Sequence, residues 1–182
     1  MPESGVRPAR TSDADDVGEV NVLAWRHRFA GVLPDEILQS LDPLDLGTVW
    51  AGGLLNPPTP FSRLFVAIEN GTCLGYAAVG PCSDPDADDG TAELLALEVL
   101  PQHQRHGHGS RLMAAAMELL ADSGIREAVT WCPLVDEARR DFLQSAGWGP
   151  DTAYRDVLVG VDDDGHDMTV REVRLVTALV DP

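Results

Sequence analysis

Two glycines and two histidines are concentrated in one short basic segment of this acidic chain. Gln104–Ser110 reads QRHGHGS and lies between an apolar run and a helical pattern. Amide hydrogens in the first turn of a helix have no partners within the helix, and the helix dipole favours negative charge there. Gly107 and Gly109 lack side chains that would keep an anion away from the backbone. The segment therefore predicts a phosphate-binding loop.

Two common nucleotide-binding patterns do not match this loop. The dinucleotide fingerprint G-x-G-x-x-G needs a glycine at position 112, where the chain has Leu112. A P-loop needs Gly-Lys followed by Ser or Thr, and the chain contains no such sequence. The loop is therefore predicted to bind phosphate in a different type of site.

The remaining pattern, Gln104-x-x-Gly107-x-Gly109 between a strand and a Leu/Ala-rich helix, resembles motif A of the GNAT acyl-CoA N-acyltransferases. The stretch AELLALEVLPQHQRHGHGSRLM is similar to that family's fourth strand, pyrophosphate loop and third helix. DEARRDFLQSAGW resembles its later helix, and VRPARTSDADDVGEV resembles its opening strand and helix. The resemblance extends from about Val6 to Leu179.

The resemblance implies a single domain over residues 1–182 with an α/β fold, in which helices flank a central, mostly antiparallel mixed sheet. It implies acetyl-CoA as co-substrate, with the pyrophosphate on the backbone amides of Gln104–Ser110 and the pantetheine arm along Leu97–Val99. The implied cofactor-binding residues are Leu97, Glu98, Val99, Gln104, Arg105, His106, Gly107, His108, Gly109, Ser110, Asp136 and Phe142.

The resemblance also implies two catalytic groups on the fourth strand. The amide of Val99 would polarise the thioester carbonyl. Glu93 would accept the proton that an ammonium must lose before it attacks, directly or through water. Strand alternation places residues 93, 95, 97 and 99 on one face, although a bulge would change that phase. A solvent-exposed charge is the alternative for Glu93, and Glu98 is a second candidate for the base.

Two positions depart from the family pattern. Asp136 replaces the family's asparagine, and Leu143 replaces the tyrosine that often protonates the departing thiolate. Tyr154, just beyond that helix, is a candidate for the general acid, and water is the alternative. Trp25 and Phe29, on and after the first helix, are predicted to line the acceptor pocket or to pack in the core.

Composition limits the partners and the location of the chain. It has 182 residues, 30 acidic against 13 basic side chains and a formal net charge of −17, which argues against nucleic acid or an anionic membrane as partner. The lack of a long apolar run and of a signal-peptide core predicts a cytoplasmic protein. Three cysteines without C-x-x-C spacing predict reduced thiols. The histidines at 103, 106 and 108 lie beside glycines without a nearby cysteine, so no metal site is predicted.

The sequence pattern predicts the elements that would position these residues. A capping box at Ser12 opens a first helix, and further helices are predicted around Asp35–Leu41 and Asp45–Leu55. Asn70–Gly71 predicts a type I′ hairpin turn. After the loop, a helix from Ser110, a strand, a helix ending at Gly147 and a closing antiparallel pair follow. In the last helix, positions 138, 142 and 145 or 146 are predicted to face inward.

Three functions fit these features. The first is acetyl-CoA-dependent N-acetylation of a primary amine on a small molecule, by direct attack in a ternary complex. The second is the same transfer to a peptide or protein amine. The third is an acyl-CoA sensor without turnover, for which Leu143 is the motivation. The sequence leaves the oligomeric state open between a monomer and a homodimer that pairs through the terminal strands, as the family resemblance allows.

Overall fold

A seven-stranded sheet lies at the centre of the computed structural model, which describes residues 4–162 and 164–179. In chain order the strands are β1 (Ser4–Pro8), β2 (Arg63–Glu69), β3 (Thr72–Pro81), β4 (Thr91–Val99), β5 (Glu127–Pro133), β6 (Gly149–Val161) and β7 (Asp167–Ala178). Their spatial order is β1-β2-β3-β4-β5-β7-β6. All neighbours are antiparallel except β4 and β5, which are parallel.

Helices cover both faces of the sheet. They are α1 (Ala14–Arg28), α2 (Asp35–Ser40), α3 (Pro43–Leu55), α4 (His108–Asp122) and α5 (Glu137–Ser145). Leu112, Ala116 and Leu120 of α4 and Leu143 of α5 belong to the apolar core on one face. On the other face, α1 and α3 pack over β2 and β3. The predicted fold class, a mixed α/β fold with a mostly antiparallel sheet between helices, is confirmed.

Helices α1 and α3 approach each other closely because both carry a glycine at their crossing. A Cβ added to Gly18 would lie 2.2 Å from the carbonyl oxygen of Pro43 and 2.7 Å from the amide nitrogen of Gly47. Any larger residue at position 18 would push the helices apart. This contact fixes α1, whose C-terminal end carries Trp25 and Arg28 toward the functional site.

Among the local predictions, the hairpin turn is confirmed, whereas the Ser12 capping box and the start of α4 are wrong. Asn70 and Gly71 have φ of 51° and 80°, as a type I′ turn requires. The capping box at Ser12 does not form, because Asp13 binds the Arg7 guanidinium and the Arg10 amide instead. Helix α4 begins at His108 rather than Ser110, after Gly107 at φ 81°.

The inward side of α5 also differs from the prediction. Leu143 is completely buried in the core, whereas Ala138 and Ser145 are exposed. Leu143 has a larger apolar side chain than Ala138 or Ser145, so its burial sets the rotation of the helix. No helix among the described residues is long and apolar enough to cross a membrane.

Candidate active site

Strands β4 and β5 pair at one end and separate at the other. Their register joins Thr91 to Glu127, Ala92 to Ala128 and Glu93 to Val129. One step further, the hydroxyl of Thr130 donates to the carbonyl oxygen of Leu94 at 2.9 Å, and this side-chain contact replaces the backbone ladder. The separation leaves an opening between the C-terminal halves of the two strands.

Backbone groups of β4 line this opening. The carbonyl of Leu97 accepts from Arg139 Nη1 at 2.7 Å, and the carbonyl of Val99 accepts from Gln104 Nε2 at 3.2 Å. Both donors come from outside β3, so both carbonyls point away from β3 and into the opening. The N–H of a strand residue points to the same side as its C=O, so the amides of Leu97 and Val99 face the opening too. This is the edge that the sequence predicts for the pantetheine arm.

A β-bulge at Leu95 changes which residues of β4 share a face. Val79 of β3 pairs with Leu94, whereas the preceding Ala78 pairs with Ala96. Leu94 and Leu97 therefore both pack on the α4 side, and Ala96 lies on the α1 side. The prediction that positions 93, 95, 97 and 99 share a face is wrong for this reason, since an extra residue inverts the alternation. Glu93 lies on the face of Glu98, opposite Val99.

The loop before α4 has the features of an anion site. Gly107 caps α4 without a side-chain hydrogen bond, and the first turn carries no acidic residue. Gly107, Gly109 and Ser110 line the adjacent cleft. Free amides at the start of a fifteen-residue helix, together with Arg105 beside them, fit a pyrophosphate group.

This cleft, which we call the larger cleft, has a volume of about 900 Å³. Ten of the twelve residues predicted to bind the cofactor line it: Leu97, Glu98, Val99, Gln104, Arg105, Gly107, Gly109, Ser110, Asp136 and Phe142. The exceptions are His106 and His108. His106 Nδ1 is 2.7 Å from the carbonyl of Gln104, outside the cleft lining.

The side chain of His108 is turned into the protein and away from the larger cleft. It is only 4% exposed, and its Nδ1 is 2.9 Å from Arg111 Nη2. Burial lowers the pKa of His108, and Arg111 lowers it further, so the imidazole is neutral at pH 7. Because α4 begins at His108, its first turn carries this side chain inward. A positive charge on His108 therefore does not contribute to the anion site.

Four charged side chains close the inner end of the larger cleft. Arg28 lies between Glu98, which it contacts directly, and Asp136, whose Oδ2 is 2.8 Å from Arg28 Nε. Arg139 Nη1 is 3.9 Å from Glu98 Oε1. Burial opposes the charge on Arg28, but Glu98 and Asp136 more than compensate and raise its pKa above the usual value. The four charges balance, as a cluster this deeply buried requires.

Asp136 has a second role in this cluster. Its Oδ1 accepts the backbone amide of Arg139 at 3.0 Å and so caps α5. An asparagine could accept the same bond, but only the carboxylate also neutralises Arg28. Arg28 and Arg139 were missed in the sequence because each lies in a helix among other charged residues, the usual pattern of a solvated surface.

A second cavity of about 220 Å³, which we call the smaller pocket, adjoins the larger cleft. The two share three lining residues, Arg28, Glu98 and Arg139. The aromatic residues of the smaller pocket are Trp25, Phe29, Trp50, Tyr76 and Trp131. Trp25 and Phe29, predicted to line the acceptor pocket or to pack in the core, line the smaller pocket, and Phe29 also belongs to a buried apolar cluster. Trp50, Tyr76 and Trp131 were not among the predicted site residues.

Glu93 lines neither cavity. It is buried, and its Oε2 has no hydrogen-bond partner among the described residues. Burial raises the pKa of Glu93, and nearby Arg155 partly opposes the rise. The structure therefore brings Glu98, rather than Glu93, to the junction of the two cavities.

Neither described tyrosine lines the larger cleft. Tyr154 is 62% exposed on β6, with the Arg171 guanidinium 4.6 Å from its ring centre. Val157 and Val159 of the same strand line the smaller pocket, so alternation turns Tyr154 outward. The structure thus contradicts the placement of Tyr154 near the reacting groups. Tyr76 is buried in the smaller pocket, and burial raises its pKa well above the usual value.

Residues 34–148 match the family model described as the Acetyltransferase (GNAT) family. The chain is 32% identical over 128 residues to the uncharacterised N-acetyltransferase YuaI of Bacillus subtilis, a match that covers 69% of each protein.

Two solved structures share the fold at lower sequence identity. PaiA N-acetyltransferase from Thermoplasma acidophilum, in complex with coenzyme A, has a TM-score of 0.69 at 19% identity, covering 93% of this chain and 98% of that one. YncA from Salmonella typhimurium, a putative acetyltransferase solved with acetyl-CoA, has a TM-score of 0.68 at 20% identity, covering 98% and 95%.

Proposed function

Since this chain belongs to the GNAT family of acetyltransferases and is an N-acetyltransferase that uses acetyl-CoA, we propose that it acetylates the primary amine of a small molecule by direct attack in a ternary complex. The observation that carries the proposal is the junction of the two cavities at Arg28, Glu98 and Arg139. A donor in the larger cleft and an acceptor in the smaller pocket would meet there without a covalent enzyme intermediate.

The larger cleft supplies groups suited to the donor. Amides of Gln104–Ser110 and the start of α4 would hold the pyrophosphate. The open edge at Leu97–Val99 would pair with the pantetheine amides, and the Val99 amide would donate to the thioester oxygen as it gains negative charge. Arg139 donates to the Leu97 carbonyl in this structure. When acetyl-CoA binds, an amide of the pantetheine arm would replace Arg139 as the donor to that carbonyl.

The smaller pocket favours a small acceptor over a polypeptide. Its volume of about 220 Å³ is below the ~300–1,000 Å³ that is typical of pockets for drug-sized ligands. In the transfer, the amine nitrogen forms a bond to the thioester carbonyl carbon and the carbon–sulfur bond breaks. Coenzyme A leaves as the thiolate, and the nitrogen loses a proton.

Glu93 is our candidate for the proton acceptor, acting through water. Two observations support the role: burial raises its pKa, and its Oε2 is unpaired among the described residues. Glu98 lies closer to the junction, but Arg28 and Arg139 already engage its carboxylate. No tyrosine lines the larger cleft among the described residues, so water is our candidate for the proton donor to the thiolate.

An acetyl-CoA thiol-release screen tests the proposal. We expect turnover with small primary amines and little or none with peptides that carry a free N-terminus. The chain contains no lysine, so acetylation of its own lysines cannot contribute to the signal. Equal or better rates with the peptides would contradict the small-molecule assignment.

The second candidate is an acyl-CoA sensor without turnover. Leu143, at the position of the family's tyrosine, is buried in the core and cannot reach the larger cleft. Thiol release with any amine in the screen would exclude this candidate. Tight acetyl-CoA binding without release across the whole panel would favour it over the enzyme.

A further inference from the structure

The walls of the smaller pocket contain two donors that lack partners. Trp131 Nε1 and Arg139 Nε are buried and have no hydrogen-bond partner among the described residues. Trp50, on the same pocket, donates its Nε1 to Asn21 Oδ1 at 3.2 Å. The one buried side-chain acceptor without a partner in the described chain is Glu93 Oε2, outside the pocket. Among the described residues that line the pocket, the buried side-chain atoms without a partner are therefore all donors, and a ligand would have to bring the acceptors.

The charges at the junction favour a ligand that carries both a positive and a negative charge. A simple ammonium would meet the guanidinium groups of Arg28 and Arg139 as well as the carboxylate of Glu98. Glu172, also on the pocket, is already paired with Arg155 at 2.7 Å. Opposite charges are thus balanced around the pocket, so a zwitterion can enter without adding net charge, whereas a plain cation or anion cannot.

The rest of the lining is apolar. Besides the five aromatic residues, it includes the aliphatic side chains of Leu33, Leu95, Val157, Val159 and Val170. Trp25 and Phe29 contact edge to face, with ring centres 5.7 Å apart. Such walls bind an apolar or aromatic group by burial of its surface and by ring packing.

We propose that the acceptor is a free amino acid with an apolar or aromatic side chain. Its carboxylate accepts hydrogen bonds from Trp131 Nε1 and Arg139 Nε, and its α-amino group faces Glu98 before it loses a proton and attacks. This inference rests on the proposed function, because it names the acceptor of the same transfer. It makes Trp131 and Arg139 determinants of specificity.

A matched series of three amines tests the inference with the full chain and acetyl-CoA. L-Phenylalanine carries the carboxylate, L-phenylalaninamide replaces it with a neutral acceptor, and phenethylamine lacks it. We expect kcat/KM to fall in that order, with the acid preferred over phenethylamine by about tenfold or more, as for a hydrogen bond to a charged group.

Two variants locate the preference in the structure. Trp131→Phe keeps a six-membered aromatic ring but removes the N–H together with the pyrrole ring, so we expect it to reduce the acid-to-phenethylamine ratio about tenfold, mainly through KM. Arg139→Gln is expected to reduce the ratio further, and circular dichroism checks that it folds, because Arg139 also lines the larger cleft. Trp50→Phe is the matched control: its N–H already bonds Asn21, so its ratio should equal that of the wild type.

The outcomes separate this inference from the proposed function. If phenethylamine matches or exceeds phenylalanine, or if Trp131→Phe leaves the ratio unchanged, the amino-acid assignment is overturned while small-amine acetylation stands. The amino-acid assignment is likewise overturned if other small amines are acetylated but phenylalanine, phenylalaninamide and phenethylamine are not. If acetyl-CoA binds and no amine reacts, both are overturned.

Discussion

The larger cleft and the smaller pocket share three residues but are built in different ways. The larger cleft draws most of its lining from Leu97–Ser110 and the start of α5, and it offers mainly backbone groups. The smaller pocket collects most of its side chains from α1, α3, α5 and five strands, and it offers aromatic rings and charges. A backbone site is sensitive to added bulk, whereas a side-chain site is sensitive to loss of particular groups. The two therefore respond to different substitutions.

The largest effect is expected from added bulk in the larger cleft. A Cβ at position 109 would already lie 3.6 Å from Phe142 Cζ, so Gly109→Trp would extend its ring into the space proposed for the pyrophosphate. We expect acetyl-CoA affinity to fall by about 100-fold or more, equivalent to ~2.7 kcal/mol. Isothermal titration calorimetry measures the change.

His106→Ala is the control for this substitution. The residue lies in the same loop, but its exposed side chain lines neither cavity. The dissociation constant of acetyl-CoA should stay within about twofold of the wild type, because the proposed contacts are backbone amides. A large loss in His106→Ala together with none in Gly109→Trp would show that side chains, not the backbone, hold the donor.

At the junction, removal of one charge is expected to destabilise the fold more than removal of a pair. Arg28→Met removes the cation that Glu98 and Asp136 share and leaves Glu98 only the 3.9 Å contact with Arg139, and breaking a buried ion pair typically costs about 3–5 kcal/mol. Adding Glu98→Gln in the same chain removes one of the unpaired charges and should recover part of the loss. Urea unfolding of both variants measures the difference. Equal stabilities would mean that Arg139 or solvent compensates the charge of Glu98 without Arg28.

On β4, Glu93→Gln tests the proton acceptor. A buried carboxylate with a raised pKa must be deprotonated to act as a base, so wild-type kcat/KM should rise as pH increases through that pKa. Glu93→Gln should lower kcat/KM by about 10²–10⁴-fold and flatten this rise. A variant that keeps the wild-type rate and pH profile would remove Glu93 from the mechanism.

The same substitution has an opposite effect on stability. The folded pKa of Glu93 lies above its unfolded value, so the folded state binds more protons between the two. Wild-type stability is therefore favoured below the usual glutamate pKa and falls as pH rises through the raised one. Glu93→Gln lacks this loss and should have the higher melting temperature at pH 7. Thermal melts of both proteins across pH 4–8 measure this, and the melting temperature of Glu93→Gln should exceed that of the wild type by more as the pH rises.

The sequence predicted the larger cleft because its signal is local. Glycine spacing, a preceding strand and a following helix all lie within one stretch, and they identify backbone groups whatever the surrounding side chains. His106 and His108 are the exceptions, since their orientation depends on the residue at which α4 begins. One turn of helix directs His108 into the protein.

The smaller pocket could not be predicted in the same way. Its residues are separated by more than a hundred positions, and only the packing of α1 and α3 on the sheet brings Trp25, Trp50 and Trp131 together. The bulge at Leu95 carries no local sequence signal, yet it decides the face on which Glu93 lies. Arg28 and Arg139 have the pattern of surface charges until Glu98 and Asp136 are placed beside them.

The smallest effect is expected at Tyr154, the residue predicted as the general acid. Its exposed ring faces away from both cavities and stacks under Arg171, so Tyr154→Phe keeps the cation–π contact and removes only an exposed hydroxyl. We expect kcat within about twofold of the wild type and stability within about 0.5 kcal/mol. Steady-state kinetics measure the first and urea unfolding the second. A drop in kcat of tenfold or more with unchanged stability would mean that β6 moves during turnover and brings Tyr154 to the thiolate. The larger cleft and the smaller pocket would then not respond separately to substitution.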